Sequence, residues 1–210
     1  MGYFFTFTGL LALLFQFGPV AGVELSYRKD QIFNIKHTLT GDLSNGQARH
    51  FGEINAKDPG GNIQPVSTDY GIVVEKINAN AKIVAGVDPS SQADYTRALA
   101  EGVAEAQSST VPGQPGNLYL FSHSADAPWD VTRYNAIFYL LRELSPNDRV
   151  IIFYKGVRYD YIVFDKTIVS PKDISFLTNR YDKPVLTLQT CDPPGTSLNR
   201  LIVRAKLVGS

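Results

Sequence analysis

The spacing of hydrophobic positions changes several times along this chain. Residues 1–23 carry no charged side chain, Glu24 being the first. At about 1.5 Å of rise per residue, such a run is long enough to cross a hydrocarbon core of about 30 Å as a helix. It predicts either an N-terminal transmembrane helix or a signal peptide. The small residues Val20, Ala21 and Gly22 suit a cleavage site, whereas no Lys or Arg precedes the apolar run. Arg28 and Lys29 follow the segment, which taken alone would hold the body of the protein inside. Beyond it, Leu25, Ile32, Ile35 and Leu39 fall at loosely helical spacing and predict a juxtamembrane helix. Gly, Asn, Pro and charged residues then dominate to about residue 66, the pattern of a linker. The chain divides into a segment 1–23, a juxtamembrane helix and linker 24–67, and a folded domain 68–210.

Within that domain, Tyr70–Ile77 and Ala81–Val87 are β-branched runs separated by an Asn-rich turn, and predict two strands. Tyr95, Leu99, Val103 and Ala106 recur at helical spacing, and the Pro/Gly cluster at residues 111–116 closes that predicted helix. Leu118–Ser124 reads as a buried strand carrying His123 near its end. Asp130 is placed to cap a helix built on Ala136, Ile137, Leu140, Leu141 and Leu144. Arg149–Val169 predicts a hairpin, with the two-residue turn Lys155-Gly156 between β-rich arms. In its second arm Tyr159, Tyr161 and Val163 alternate with Asp160, Ile162 and Phe164. Ser170, Pro171 and Asp173 match a helix start with serine at the cap, proline next and an acid three positions on. Strands dominate and helices connect them, which predicts a mostly β domain: a closed barrel with short connecting helices, preceded by the N-terminal apolar helix.

Composition narrows the chemistry. Twenty basic and twenty acidic side chains cancel, so no basic field gathers nucleic acid. One cysteine, Cys191, excludes an internal disulfide, and the histidines His37, His50 and His123 are too scattered for a zinc set. Neither a metal nor a cofactor is expected. The thiol is either a buried small hydrophobe or a reagent.

Alternation argues against the buried hydrophobe. In a strand over residues 185–191, Leu186, Leu188 and Thr190 share one face while Thr187, Gln189 and Cys191 share the other. The leucines claim the core, which puts Cys191 on the polar face. The returning run splits likewise: Leu201, Val203, Ala205 and Leu207 face in, and Arg200, Ile202, Arg204 and Lys206 face out. An antiparallel pairing of the two runs would bring a guanidinium to the thiol, and nearby positive charge makes a thiol more acidic and more reactive. Taken singly, His123 also fits a satisfied histidine at a strand end, and Arg200 a solvated strand charge. Trp129 and the tyrosines around Tyr159 fit packing.

This constellation resembles the sortases, membrane-anchored cysteine transpeptidases of mainly Gram-positive bacteria. The resemblance rests on Thr-Leu-Gln-Thr-Cys at Thr187–Cys191, on Arg200 opening the next strand, and on the strand carrying His123. Gly86-Val87-Asp88-Pro89, the Tyr95-x-x-Ala98-Leu99 and Gly102-Val103-Ala104 stretch, and Pro112–Asn117 extend it over residues 68–208. Glu75 departs from a proline common in the family's first strand, Ser122 from a glycine before the histidine, and Glu105 from a histidine. The segment from Cys191 to Leu207 looks most like the compact class D and E branch.

The resemblance implies a sortase-type barrel with Cys191, His123 and Arg200 as catalytic residues, and with Thr190, Gln189 and Ser122 as candidates for the substrate groove. It implies cleavage of a Leu-Pro-x-Thr-Gly-like signal on secreted proteins between Thr and Gly, through an acyl-thioester, and transfer to an amine of peptidoglycan or a pilin lysine. It places the catalytic domain outside the cell on a single-pass anchor. A cysteine peptidase that only hydrolyses, and a noncatalytic tethered barrel, are the alternatives.

Overall fold

The computed structural model describes residues 6–8, 21–39, 62–124 and 137–209. Its core is a closed barrel of eight strands in the order β10-β8-β7-β3-β4-β5-β6-β9, with β9 and β10 closing the ring. These are β3 (Tyr70–Val74), β4 (Ala79–Val87), β5 (Val103–Ala106), β6 (Gly116–Phe121), β7 (Arg149–Tyr154), β8 (Val157–Val169), β9 (Pro184–Asp192) and β10 (Asn199–Leu207). Pairing is antiparallel except for β4–β5 and β6–β9. A parallel pair needs a crossover, and helix α2 (Gln92–Glu101) supplies the one between β4 and β5. Alternation fills the barrel: Ile72, Leu118, Leu120, Ile152, Leu186, Leu188 and Val203 all point into one buried cluster. Each such side chain contributes about 1.5–3 kcal/mol by leaving water.

The hairpin turn has the geometry its sequence demands. Lys155 and Gly156 have φ of 50° and 77°, positive at both central positions as a type I′ turn requires. Of the two alternating sets in the hairpin's second arm, the one with Tyr161 and Val163 faces inward, and both residues are buried.

Several elements differ from the sequence pattern. The first strand stops at Val74, and Glu75–Ile77 form a 3₁₀ turn ended by Asn78 at φ 49°, a left-handed conformation that asparagine tolerates. Helix α2 ends at Glu101 and does not reach the Pro/Gly cluster, because Val103–Ala106 is β5. Gly102 enforces the stop: a Cβ there would lie 2.3 Å from the Lys82 carbonyl oxygen, so strand β4 approaches too closely for any side chain. Tyr139–Glu143 form a 3₁₀ helix where an α-helix was expected; its predicted cap Asp130, with Trp129, lies outside the described residues. Ser170 closes a turn by accepting from the Lys172 N–H at 3.3 Å. The short helix α3 (Ser175–Thr178) begins later, with the Asp173 carboxylate accepting from the Ser175 N–H at 3.0 Å.

The N-terminal helix, α1, covers residues 21–32. It docks on the barrel through Val23 and Tyr27, and Glu24 bonds Arg142 at 2.7 Å. The expected apolar stripe is therefore not the docking face: Leu25, Ile32 and Ile35 are exposed. Thr38–Leu39 (β1) and Asn62–Ile63 (β2) pair in parallel. Leu39 and Ile63 cover the outward side chains of Val73, Ile151 and Phe153, while the Leu39 N–H donates to Glu75 at 2.9 Å. His37 pairs with Asp30; His50 lies outside the described residues. No helix among the described residues is long and apolar enough to cross a membrane, and the expected transmembrane segment 1–23 lies mostly outside them.

A second cluster sits outside the barrel wall, where Ala98 and Leu99 of α2 cover Ala104, Ala106, Tyr119 and Phe121, with Phe176 and Leu177 of α3 packed alongside. Two devices hold α3 there. Asn117 donates to the Phe176 carbonyl at 2.9 Å and accepts from the Thr187 hydroxyl at 2.7 Å. Arg204 forks onto Asp165 at 2.7 and 2.9 Å, and its guanidinium stands 5.1 Å from the Phe164 ring and 5.4 Å from that of Phe176. Ile202, expected on the open side of β10, faces outward yet is only 1% exposed, so this outer surface is covered.

Glu105 shares the barrel interior with Tyr70, and burial raises its carboxyl above the ordinary 4.5, the Tyr70 hydroxyl offsetting this only in part. A raised carboxyl makes the folded state bind a proton that the unfolded state releases. Its stabilising contribution is complete below about 4.5 and is lost as pH rises through the folded value. Melting temperatures of Glu105→Gln measured across pH 4–8 are expected to lack this decline and to exceed wild type at neutral pH. Thr187→Val strands the buried Asn117 amide oxygen and is expected to cost about 1–3 kcal/mol, read as a lower denaturant midpoint at unchanged slope.

Candidate active site

Cys191 is the second-last residue of β9, and its side chain leaves the barrel on the outer face with Thr187 and Gln189. Antiparallel pairing sets Arg200 directly opposite Cys191, and side chains of such a pair start about 4.5–5.5 Å apart on the same face. On the other flank β6 runs parallel to β9 with Phe121 in register with Gln189. Two residues further along each chain stand His123 and Cys191. Three neighbouring strands thus deliver a thiol, an imidazole and a guanidinium to one end of the barrel wall.

The two threonines of the Thr187–Cys191 motif act as struts on opposite faces. Thr187 reaches outward to Asn117 and, through it, to α3. Thr190 donates to the Ser122 carbonyl at 2.9 Å, and the Ser122 N–H donates to the Gln189 carbonyl at 3.2 Å. These bonds tie the ends of β6 and β9 together immediately before His123 and Cys191. Ser122 and Thr190 are themselves almost fully buried; Gln189 is half-buried.

All six candidate residues line one open cavity of about 510 Å³. Tyr95, Thr96 and Leu99 of α2 form one wall, Ile174 and Leu177 at α3 the other, and Tyr119, Phe121 and Gln189 the floor. Hydrophobic periodicity identified Tyr95 and Leu99 as helix core positions, but no sequence signal joined them to the thiol. A second cavity, of about 610 Å³, lies beside β1 and β7 and is lined by none of the candidates; its Lys76 and Asp148 pair with each other at 2.7 Å.

Cys191 is in no disulfide. Arg200 donates from Nη1 to the Ser197 and Asn199 carbonyls at 3.3 and 3.1 Å, which braces the guanidinium on its own turn. It enters no ion pair among the described residues. Burial raises the Tyr119 phenol well above its ordinary value; the Arg200 charge lowers it less, and Asp173 adds to the rise. Tyr119 therefore keeps its proton at neutral pH and donates it to Gln189 Oε1 at 2.5 Å. Among the described residues no group of His, Cys, Asp and Glu is placed to hold a metal ion. A thiol beside a fixed cation and an imidazole, at the floor of a cavity sized for several peptide residues, is an arrangement for acyl transfer.

Comparison with known proteins gives the family of the chain. Residues 72–208 match the sequence model of the Sortase domain. Sortase D of Bacillus subtilis (strain 168) is 27% identical over 138 residues, which make up 64% of this chain and 61% of that protein. Sortase C-1 of Actinomyces oris superposes with a TM-score of 0.57 at 26% identity, covering 69% of this chain and 76% of that one. The Clostridium perfringens Sortase D5 transpeptidase does so at 0.55 and 24% identity, covering 67% and 79%, a likeness of fold. With the barrel, the domain match and a cysteine at the motif position together, the chain belongs to the sortase family, whose members are cysteine transpeptidases.

Proposed function

We propose that this chain is a membrane-anchored sortase of the class D/E branch, which cleaves a Leu-Pro-x-Thr-Gly-like signal between Thr and Gly and transfers the acyl half to a cell-wall or pilin amine. The observation carrying this reading is the meeting of Cys191, His123 and Arg200 at the ends of three adjacent strands, at one cavity. The Cys191 thiolate attacks the threonine carbonyl, forming the C–S bond. His123 gives a proton to the departing glycine amine as the C–N bond breaks, and later takes one from the incoming amine as the new C–N bond forms and the C–S bond breaks, returning Cys191 to its thiolate. Arg200 donates to the oxygen that becomes negative at each tetrahedral stage. Its fixed fork suits this, and its bracing on Ser197 and Asn199 holds it ready before substrate arrives. The charge-free run 1–23 serves as the anchor, with the barrel on the outer face.

Intact mass after incubation with Leu-Pro-x-Thr-Gly and Leu-Ala-x-Thr-Gly peptides tests this. The expected product is an adduct equal to the peptide's acyl half, absent from Cys191→Ala, and converted to a transamidated peptide by added amine. His123→Ala is expected to lose roughly 10²–10⁴-fold in turnover, and Arg200→Lys roughly 10²-fold or more. An adduct that released only hydrolysed peptide despite added amine would make the protein a peptidase. Peptide cleavage surviving in Cys191→Ala would overturn the reading.

A further inference from the structure

We propose that Gln189 is a substrate-positioning residue, whose side-chain amide N–H groups, aimed by Tyr119, hold a backbone carbonyl of the bound peptide two residues before the scissile bond. The proposal rests on the transpeptidase reading of the same site and adds to it a recognition group outside the Cys191, His123 and Arg200 set.

Gln189 stands two residues before Cys191 on the same face of β9, about 6.6–6.8 Å away along the strand. An extended peptide repeats with that same two-residue spacing. With the scissile carbonyl at Cys191, the carbonyl two residues earlier reaches Gln189. The cavity extends to this side: Gln189, Tyr119 and the α2 and α3 walls line it, and among the described residues none from Asp192 to Asn199 does. Four of the five residues of a Leu-Pro-x-Thr-Gly signal precede the scissile bond, so the walled side takes the acyl half.

Orientation of the amide comes from Tyr119. Its phenol is 4% exposed and donates to Gln189 Oε1, which engages that oxygen and leaves Nε2 as the remaining polar group of an amide that lines the cavity. Nε2 is not among the buried, unpartnered side-chain atoms of the described residues. A donor held in one direction at a half-buried position is suited to a peptide carbonyl. Gln189→Glu is the discriminating change, because it keeps the side chain's length and the acceptor for Tyr119 while removing both donors.

The test compares wild type, Gln189→Ala, Gln189→Glu, Tyr119→Phe and the Tyr119→Phe/Gln189→Ala double variant in full-length chains, by steady-state peptide cleavage. Peptide affinity is measured in parallel in a Cys191→Ala background. Both Gln189 variants are expected to raise KM and Kd roughly 3–10-fold with kcat within about two-fold, the size of one neutral hydrogen bond. Tyr119→Phe is expected to raise them less, and to add nothing once Gln189 is alanine. Wild-type KM and Kd in Gln189→Ala, wild-type binding in Gln189→Glu, or simple additivity in the double variant would each overturn the proposal. Failure of the underlying reading has a different signature: wild type binds peptide without acylating, and the affinity comparison then still decides the role of Gln189. Absence of peptide binding by wild type would overturn both.

Discussion

The two-residue alternation of β9 is the constraint on which the rest of this structure depends. Leu186 and Leu188 are wholly buried in the barrel interior, while Thr187, Gln189 and Cys191 emerge on the other face. A slip of one residue would exchange every side chain between faces, putting the thiol in the core and two leucines in the cavity. The register is held from both flanks, by parallel pairing with β6 and antiparallel pairing with β10. One strand thereby fixes both neighbours of the thiol: the histidine lies beyond the end of β6, and the arginine opens β10. The Thr190–Ser122 bond pins the junction where ladder pairing with β6 runs out.

Much of this was legible in the sequence because period two and turn chemistry are local signals. The leucines of β9 and the inward set of β10 stand where their alternation put them, and Lys155-Gly156 makes the turn its dihedral demands select. The helix expected through Val103 and Ala106 failed for an equally local reason. Val, Ala and Ala in a four-residue run satisfy a helical or an extended pattern, and the choice was made by Gly102, whose missing Cβ matters only once β4 lies against it. The face of α1 is set in the same way: Leu25 and Ile32 form the apolar stripe, but Val23 and Tyr27 have a partner surface on the barrel. The cavity walls were illegible in principle. Tyr95, Leu99, Ile174 and Leu177 are spread across the domain sequence, and only barrel closure brings them to Cys191. The Tyr119–Gln189 and Thr187–Asn117 bonds each join residues 70 apart.

Reaction and recognition are supported by different physics in this fold. The three residues assigned to the reaction emerge from strands or strand ends whose spacing is set by backbone ladders, a geometry that substitutions on the cavity surface leave unchanged. The walls are a ten-residue helix and a four-residue one. α3 is held by few side chains, chiefly through the Asn117 bridge and the Arg204 stack. Walls of that kind can change side chains, and even position, without moving Cys191 relative to His123 or Arg200. The floor is the exception, since Gln189 is part of β9 itself and shares its register with the thiol. In the proposed reading, a recognition group placed there keeps a constant distance from the Cys191 sulfur however the walls differ. Under the proposed function, selectivity for the flanking side chains belongs to α2 and α3, and the distance along the peptide backbone to the strand.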